Sequence, residues 1–234
     1  YAERAWGGIN FLRNAPGKPA SAEEITETVL QTGFYDDTNI RVEDLGNGKY
    51  LATFIDLVPG RASADAFGAY YSVYNGSAWS VPQLLEDDGT ADDVPTVCNA
   101  GSKGWLVVWS DASRQLDANE NVSDMLNTYD LTGRFFDPET NTLGDVMEIT
   151  KTSGSDTVCD TSPEISYYEE NGQEFMKIYY TKSEYEVSSE EEGEVIGDIL
   201  NPYEVKAVRN YDFENDKWAE TYFGSVKEHL ENSL

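Results

Sequence analysis

Histidine, cysteine and positive charge are all scarce in this sequence. One His and two Cys occur among 234 residues, and 16 Lys and Arg stand against 44 Asp and Glu, for a net charge of −28. The single His229 with Cys98 and Cys159 gives too few soft ligands for a Cys/His zinc site. Two cysteines in a chain of this length do not make a disulfide scaffold, and one bridge or two free thiols remain as alternatives. Few Lys and Arg also argue against nucleic acid and anionic lipid, whose phosphates need basic partners. Long apolar runs are missing as well. Stretches such as Trp105-Leu106-Val107-Val108-Trp109 are strand-sized, well below the roughly 18 residues that signal a membrane span. No phosphate-binding Gly-Lys loop, dinucleotide glycine motif or Gly-x-Ser-x-Gly elbow occurs.

What the chain does have is aromatic rings and turn formers. Its 15 Tyr, 9 Phe and 5 Trp suit strand surfaces packed on both sides. Three segments share one order of features: an Asp-rich loop, a short apolar run, a Gly-containing turn, a long apolar strand, a variable polar loop, an aromatic strand, a tight polar turn and a last short strand. The copies cover approximately 36–85, 92–150 and 160–222. Tyr74 to Trp79, Phe136 to Leu143 and Tyr211 to Trp218 read as the same hairpin three times, and these three turns are expected on one side of the molecule. Asn75-Gly76 and Asn171-Gly172 tolerate the positive φ of two-residue hairpins. First strands are expected near 39–43, 95–98 and 163–168. The loop between the second and third strands lengthens from copy to copy, and insertions gathered on one face usually mark the working face.

The repeat predicts an all-β fold of antiparallel four-stranded blades, a partial β-propeller of about three blades plus one strand. The extra strand is read at 25–30, which resembles the last strands of the copies, within a propeller segment spanning 22–224. Residues 1–21 are read as the remnant of a preceding blade and 225–234 as a tail. Three blades and a strand do not close a ring of about 4–8 blades. Further blades of a longer protein, or a second chain, are therefore expected to complete it, with residues 1–20 as another cover for its edges.

Tyr74-Asn75-Gly76-Ser77-Ala78-Trp79, Asp88-Gly89-Thr90-Ala91-Asp92-Asp93-Val94-Pro95 and Leu106-Val107-Val108-Trp109-Ser110-Asp111 resemble the propeller repeats of extracellular proteins from anaerobic Gram-positive bacteria. The resemblance covers roughly 22–222 and implies a secreted or cell-surface bacterial protein of the adhesin or sialidase-like type. It does not extend to the Ser-x-Asp-x-Gly-x-x-Trp turn of sialidases, and no set of substrate-gripping arginines stands out among seven Arg.

Carboxylates are so frequent that no glycosidase pair is singled out. Five acids precede first strands: Asp36, Asp37, Asp92, Asp93 and Asp160. Asp37, Asp93 and Asp160 are the candidate ligand-binding residues, and Asp36, Asp92 and Asp93 the candidate calcium ligands, because hard cations take clustered oxygens. The plainer role for all five is capping turns by accepting backbone N–H bonds. The run Asp117-Ala118-Asn119-Glu120-Asn121 lacks the Gly and distal Glu of a calcium-binding helix–loop–helix. No catalytic residue and no cofactor other than calcium is assigned. The expected function is binding or adhesion to a glycan or protein through the long-loop face. The alternative is part of a carbohydrate-active enzyme.

Overall fold

The computed structural model describes residues 8–10, 29–31, 40–117, 127–151, 158–187 and 199–219. Two short antiparallel strands come first, β1 (Gly8–Asn10) and β2 (Val29–Gln31). Three larger sheets follow, each an antiparallel meander. The first contains β3 (Arg41–Gly46), β4 (Lys49–Leu57), β5 (Phe67–Tyr74) and β6 (Gln83–Leu84). The second contains β7 (Thr96–Asn99), β8 (Trp105–Ala112), β9 (Tyr129–Asp137), β10 (Thr142–Leu143) and β11 (Met147–Glu148). The third contains β12 (Val158–Glu170), β13 (Gln173–Val187), β14 (Ile199–Asp212) and β15 (Lys217–Ala219). The fold is all-β, with these sheets as the blades of a partial β-propeller.

The three sheets share features of register. Tyr74 pairs Trp79, Phe136 pairs Leu143 and Tyr211 pairs Trp218; each hairpin is capped by the residue that follows, Asn75, Asp137 or Asp212, which accepts the backbone N–H two residues on, and the first loop is two residues shorter than the others. Beyond the hairpin, the outer strand of the first and second sheets slips by one residue before pairing again, at Gln83–Leu84 and at Met147–Glu148. β10 and β11 are therefore two pieces of one fourth strand. A second shared slip lies where the chain enters the inner strand. Asp92 bridges Asp111 and Asp160 pairs Lys182, each one residue out of step with the ladder that follows.

Two local expectations need adjustment. Asn75-Gly76 is not a two-residue turn. Asn75 donates its N–H to Ala78 O at 3.2 Å, and its Oδ1 accepts the backbone N–H groups of Ser77 and Ala78 at 3.0 and 3.1 Å, so Gly76 and Ser77 are the central pair of the turn. β12 begins at Val158 rather than near 163, so Asp160 lies in the strand and not in a loop before it. Pro163 misleads here, since a residue without N–H usually starts a strand. The chain instead absorbs it in a bulge between Thr161 and Glu164, with Ser162 at φ +54°. At Asn171-Gly172 both residues have positive φ, which makes the two-residue turn between β12 and β13.

Packing explains why the middle strands are unbroken apolar runs. All eight residues of β8 are buried. Trp105, Val107 and Trp109 pack on Leu51, Tyr71, Val73 and Leu85 of the first sheet. Leu106 and Val108, on the other face, pack with Met176, Ile178 and Tyr180 of the third. Both faces of β8 meet another sheet, so period-two alternation disappears.

The tight turns share one end of the stack. Lys49 Nζ, beside the first turn of sheet one, donates to Pro138 O in the last hairpin of sheet two at 2.9 Å. Lys103 Nζ, in the first turn of sheet two, meets Asp216 Oδ1 in the last hairpin of sheet three at 2.6 Å. Gly76 of the first hairpin lies beside Gly48. The connections after second and fourth strands therefore open at the opposite end. Trp109→Ala, at a fully buried position between two sheets, is expected to cost about 3–5 kcal/mol in denaturant unfolding, with Val81→Ala, 81 % exposed, within about 0.5 kcal/mol of the parent.

Candidate functional site

At that opposite end the second sheet carries three aspartates in a row. Asp92 enters β7, Asp111 sits near the end of β8, and Asp130 stands opposite it on β9. All three are buried. Like charges on directly opposite strand positions repel. In the third sheet the same two inner positions hold Asp160 and Lys182, whose Nζ lies 2.8 Å from Asp160 Oδ1, with Asp160 fully buried. The third sheet supplies its own cation where the second sheet has another carboxylate.

The connection from β6 to β7 adds two more acids. Glu86 and Asp88 bring carboxylate oxygens within 4.8 Å of Asp111 and of one another, a grouping that could hold a metal ion. Asp88 Oδ1 accepts the Thr90 backbone N–H at 3.0 Å, which folds the loop around Gly89 at φ +91°. Thr90 Oγ1 lies 2.7 Å from Asp88 Oδ1 and 3.0 Å from Asp111 Oδ1. A hydroxyl has one proton, so it serves one of these carboxylates at a time. Asp111 Oδ2 accepts from Thr132 Oγ1 at 3.2 Å. Asp92 Oδ2 accepts the Ala69 N–H of the first sheet at 2.7 Å, which leaves buried Oδ1 without a hydrogen-bond partner. Two guanidiniums lie nearby. Arg61 is held by the Thr90 carbonyl and Asp87, and Arg134 by the Leu85 and Gly144 carbonyls.

Too many acceptors for too few donors raise the affinity for protons. Burial, reinforced by Asp111 and Asp88, pushes the Asp92 carboxyl up to about 8 against the pull of the Ala69 N–H. Burial, with Asp88 and Glu86, pushes Asp111 up to about 7, opposed by the Thr90 and Thr132 hydroxyls. The two carboxyls are in contact and titrate as a pair. Burial and Asp88 also raise Glu86, while Arg134 opposes them. Burial and the acids Asp93, Asp92, Asp111 and Asp65 lift the Tyr129 hydroxyl to about 12.

The five acids singled out from the sequence have different fates. Asp36 and Asp37 lie outside the described residues. Asp92 is part of the buried row. Asp93 is exposed and accepts the N–H of Val94 at 2.7 Å. Asp160 is in the ion pair with Lys182. Glu86, Asp88 and Asp111 had no place among the candidates. Asp111 carried a signal nonetheless, as a charged residue ending a strand that buries both faces. The longer second-to-third-strand loops fall mainly on 118–126 and 188–198, outside the described residues. Cys98 and Cys159 are free thiols. Among the described residues no helix is long and apolar enough to cross a membrane.

No protein-family model matches the sequence, and no curated protein is significantly similar to it. A solved structure described as a new family of polysaccharide lyase, the PL25 ulvan lyase, superposes with a TM-score of 0.50 at 10 % identity. The match covers 82 % of this chain and 45 % of that one, so the chain spans less than half the length of this neighbour. At that identity the likeness is one of fold.

The raised carboxyls set a pH dependence. An acid bound more tightly to its proton in the folded state favours folding below its unfolded value, and that advantage is lost as pH rises through the folded value. In chelator, thermal stability is expected to fall between about pH 4, the ordinary Asp value, and about pH 8. Asp92→Asn, which keeps an acceptor for Ala69 N–H and removes the charge, should raise the melting temperature at pH 8 and flatten the slope. Parallel curves for parent and variant would show that the pair does not control it.

Proposed function

We propose that this chain is an extracellular binding module that recognises a carbohydrate through the face bearing the second-to-third-strand and fourth-to-first-strand connections. The observation that carries the reading is the asymmetry of the two ends. One end consists of tight hairpins locked across sheets by Lys49 and Lys103. The other gathers the irregular connections, the acidic row and Tyr129, and loops on a rigid scaffold are where binding residues concentrate. The similarity in fold to a polysaccharide lyase supports a carbohydrate-related role. The charge narrows the ligand class. With Arg61, Arg134 and Lys182 held by protein acceptors, this face favours neutral or cationic sugars over polyanionic chains.

The second reading, part of a carbohydrate-active enzyme, draws on the same neighbour and on the share of that structure this chain leaves uncovered. Glycan-array binding followed by product analysis separates the two. The module reading expects retention of intact neutral or cationic glycans with no cleavage. Release of shortened or unsaturated products would favour the enzyme, and failure to retain any glycan at millimolar concentration would remove the carbohydrate reading.

A further inference from the structure

The acidic row differs from an ordinary surface cluster in one respect. Asp92 is 5 % exposed, is anchored to the first sheet through Oδ2, keeps a buried Oδ1 without a donor, and has its carboxyl in contact with that of Asp111. A buried carboxylate oxygen without a donor is costly unless a proton or a cation meets it. The third sheet shows how this architecture meets such an oxygen. At the equivalent register, the ammonium of Lys182 stands against Asp160.

We propose that Glu86, Asp88 and Asp111 hold a calcium ion beside Asp92, which supplies to the second sheet the positive charge Lys182 supplies to the third. Calcium takes 6–8 oxygens at about 2.3–2.6 Å, so two ligands on one ion lie at most about 5 Å apart. The 4.8 Å grouping of Glu86, Asp88 and Asp111 oxygens falls inside that limit. Magnesium, with ligands about 2.0–2.1 Å away, needs oxygens no more than about 4 Å apart and would require the loop to contract. Glu86 is half-buried and Asp88 exposed, so the ion has a route from solvent and room for water ligands. The carboxylates come from the loop between two sheets and from the middle strand of the second, so the ion also ties the blades together. Metal binding here does not require a glycan ligand.

The test is a thermal melt of the chelator-treated protein at pH 7.5 and fixed ionic strength, with calcium chloride added from micromolar to millimolar. A shift at a hundredfold excess over the dissociation constant should be roughly 5–10 °C for a chain of this size. Asp88→Asn and Asp111→Asn should each weaken binding at least tenfold, which terbium luminescence sensitised by nearby aromatic rings reads independently of melting. Asp88 is exposed, so its variant should fold, and far-ultraviolet circular dichroism checks this. Asp137→Asn, an exposed acid at the hairpin end, should bind as the parent does. A net charge of −28 attracts divalent ions everywhere. A calcium shift that persists in Asp88→Asn and Asp111→Asn would therefore be general screening and would overturn the site, as would the absence of any shift in the parent.

Discussion

Burying both faces of the middle strand is the constraint on which the other features depend. Once Trp105, Val107 and Trp109 face one sheet while Leu106 and Val108 face another, the sheets must stack, and their ends become the two faces of the stack. The four-strand meander then sends its tight hairpins to one end and its irregular connections to the other. Residues at the ends of middle strands inherit a difficult position. They are close enough to the loops to carry function, yet buried by neighbouring sheets. Asp111 and Lys182 occupy this position in successive sheets, and so does Asp56 in the first.

That inheritance explains why one architecture produces different electrostatics from blade to blade. In the third sheet an acid and a base meet across the inner strands, and the cost of burying one charge is offset by the other. In the second sheet acids stand in sequence across three strands, and the loop from the first sheet brings two more. At matching register positions Lys182 and Val205 of the third sheet stand where the second has Asp111 and Asp130, and this separates the closed ion pair from the acidic row. Propeller-like stacks can diversify in this way without altering their cores.

Much of the fold was legible in the sequence. Runs such as Trp105–Trp109 announced strands buried on both sides, and the three polar hairpins gave the repeat its phase. The weaker readings came from local signals that the surrounding structure overrode: Pro163 inside a strand, and Asn75, whose side chain caps the turn and leaves its centre to Gly76 and Ser77. The site was less legible. Aspartates before first strands stood out because they recur, but recurrence marked a structural position filled by Asp92 and Asp160 in different surroundings. What distinguishes those surroundings is the partner across the ladder, Asp111 or Lys182. That pairing depends on a one-residue slip in register, which composition and spacing do not display.

The exchange of that one partner is therefore the most direct test. Asp111→Lys gives the second sheet the arrangement of the third, an ammonium facing a buried aspartate. The account predicts a folded protein that melts in chelator as high as the parent does with calcium and no longer responds to calcium. A variant that melts lower than the chelator-treated parent, or that still gains stability from calcium, would contradict it.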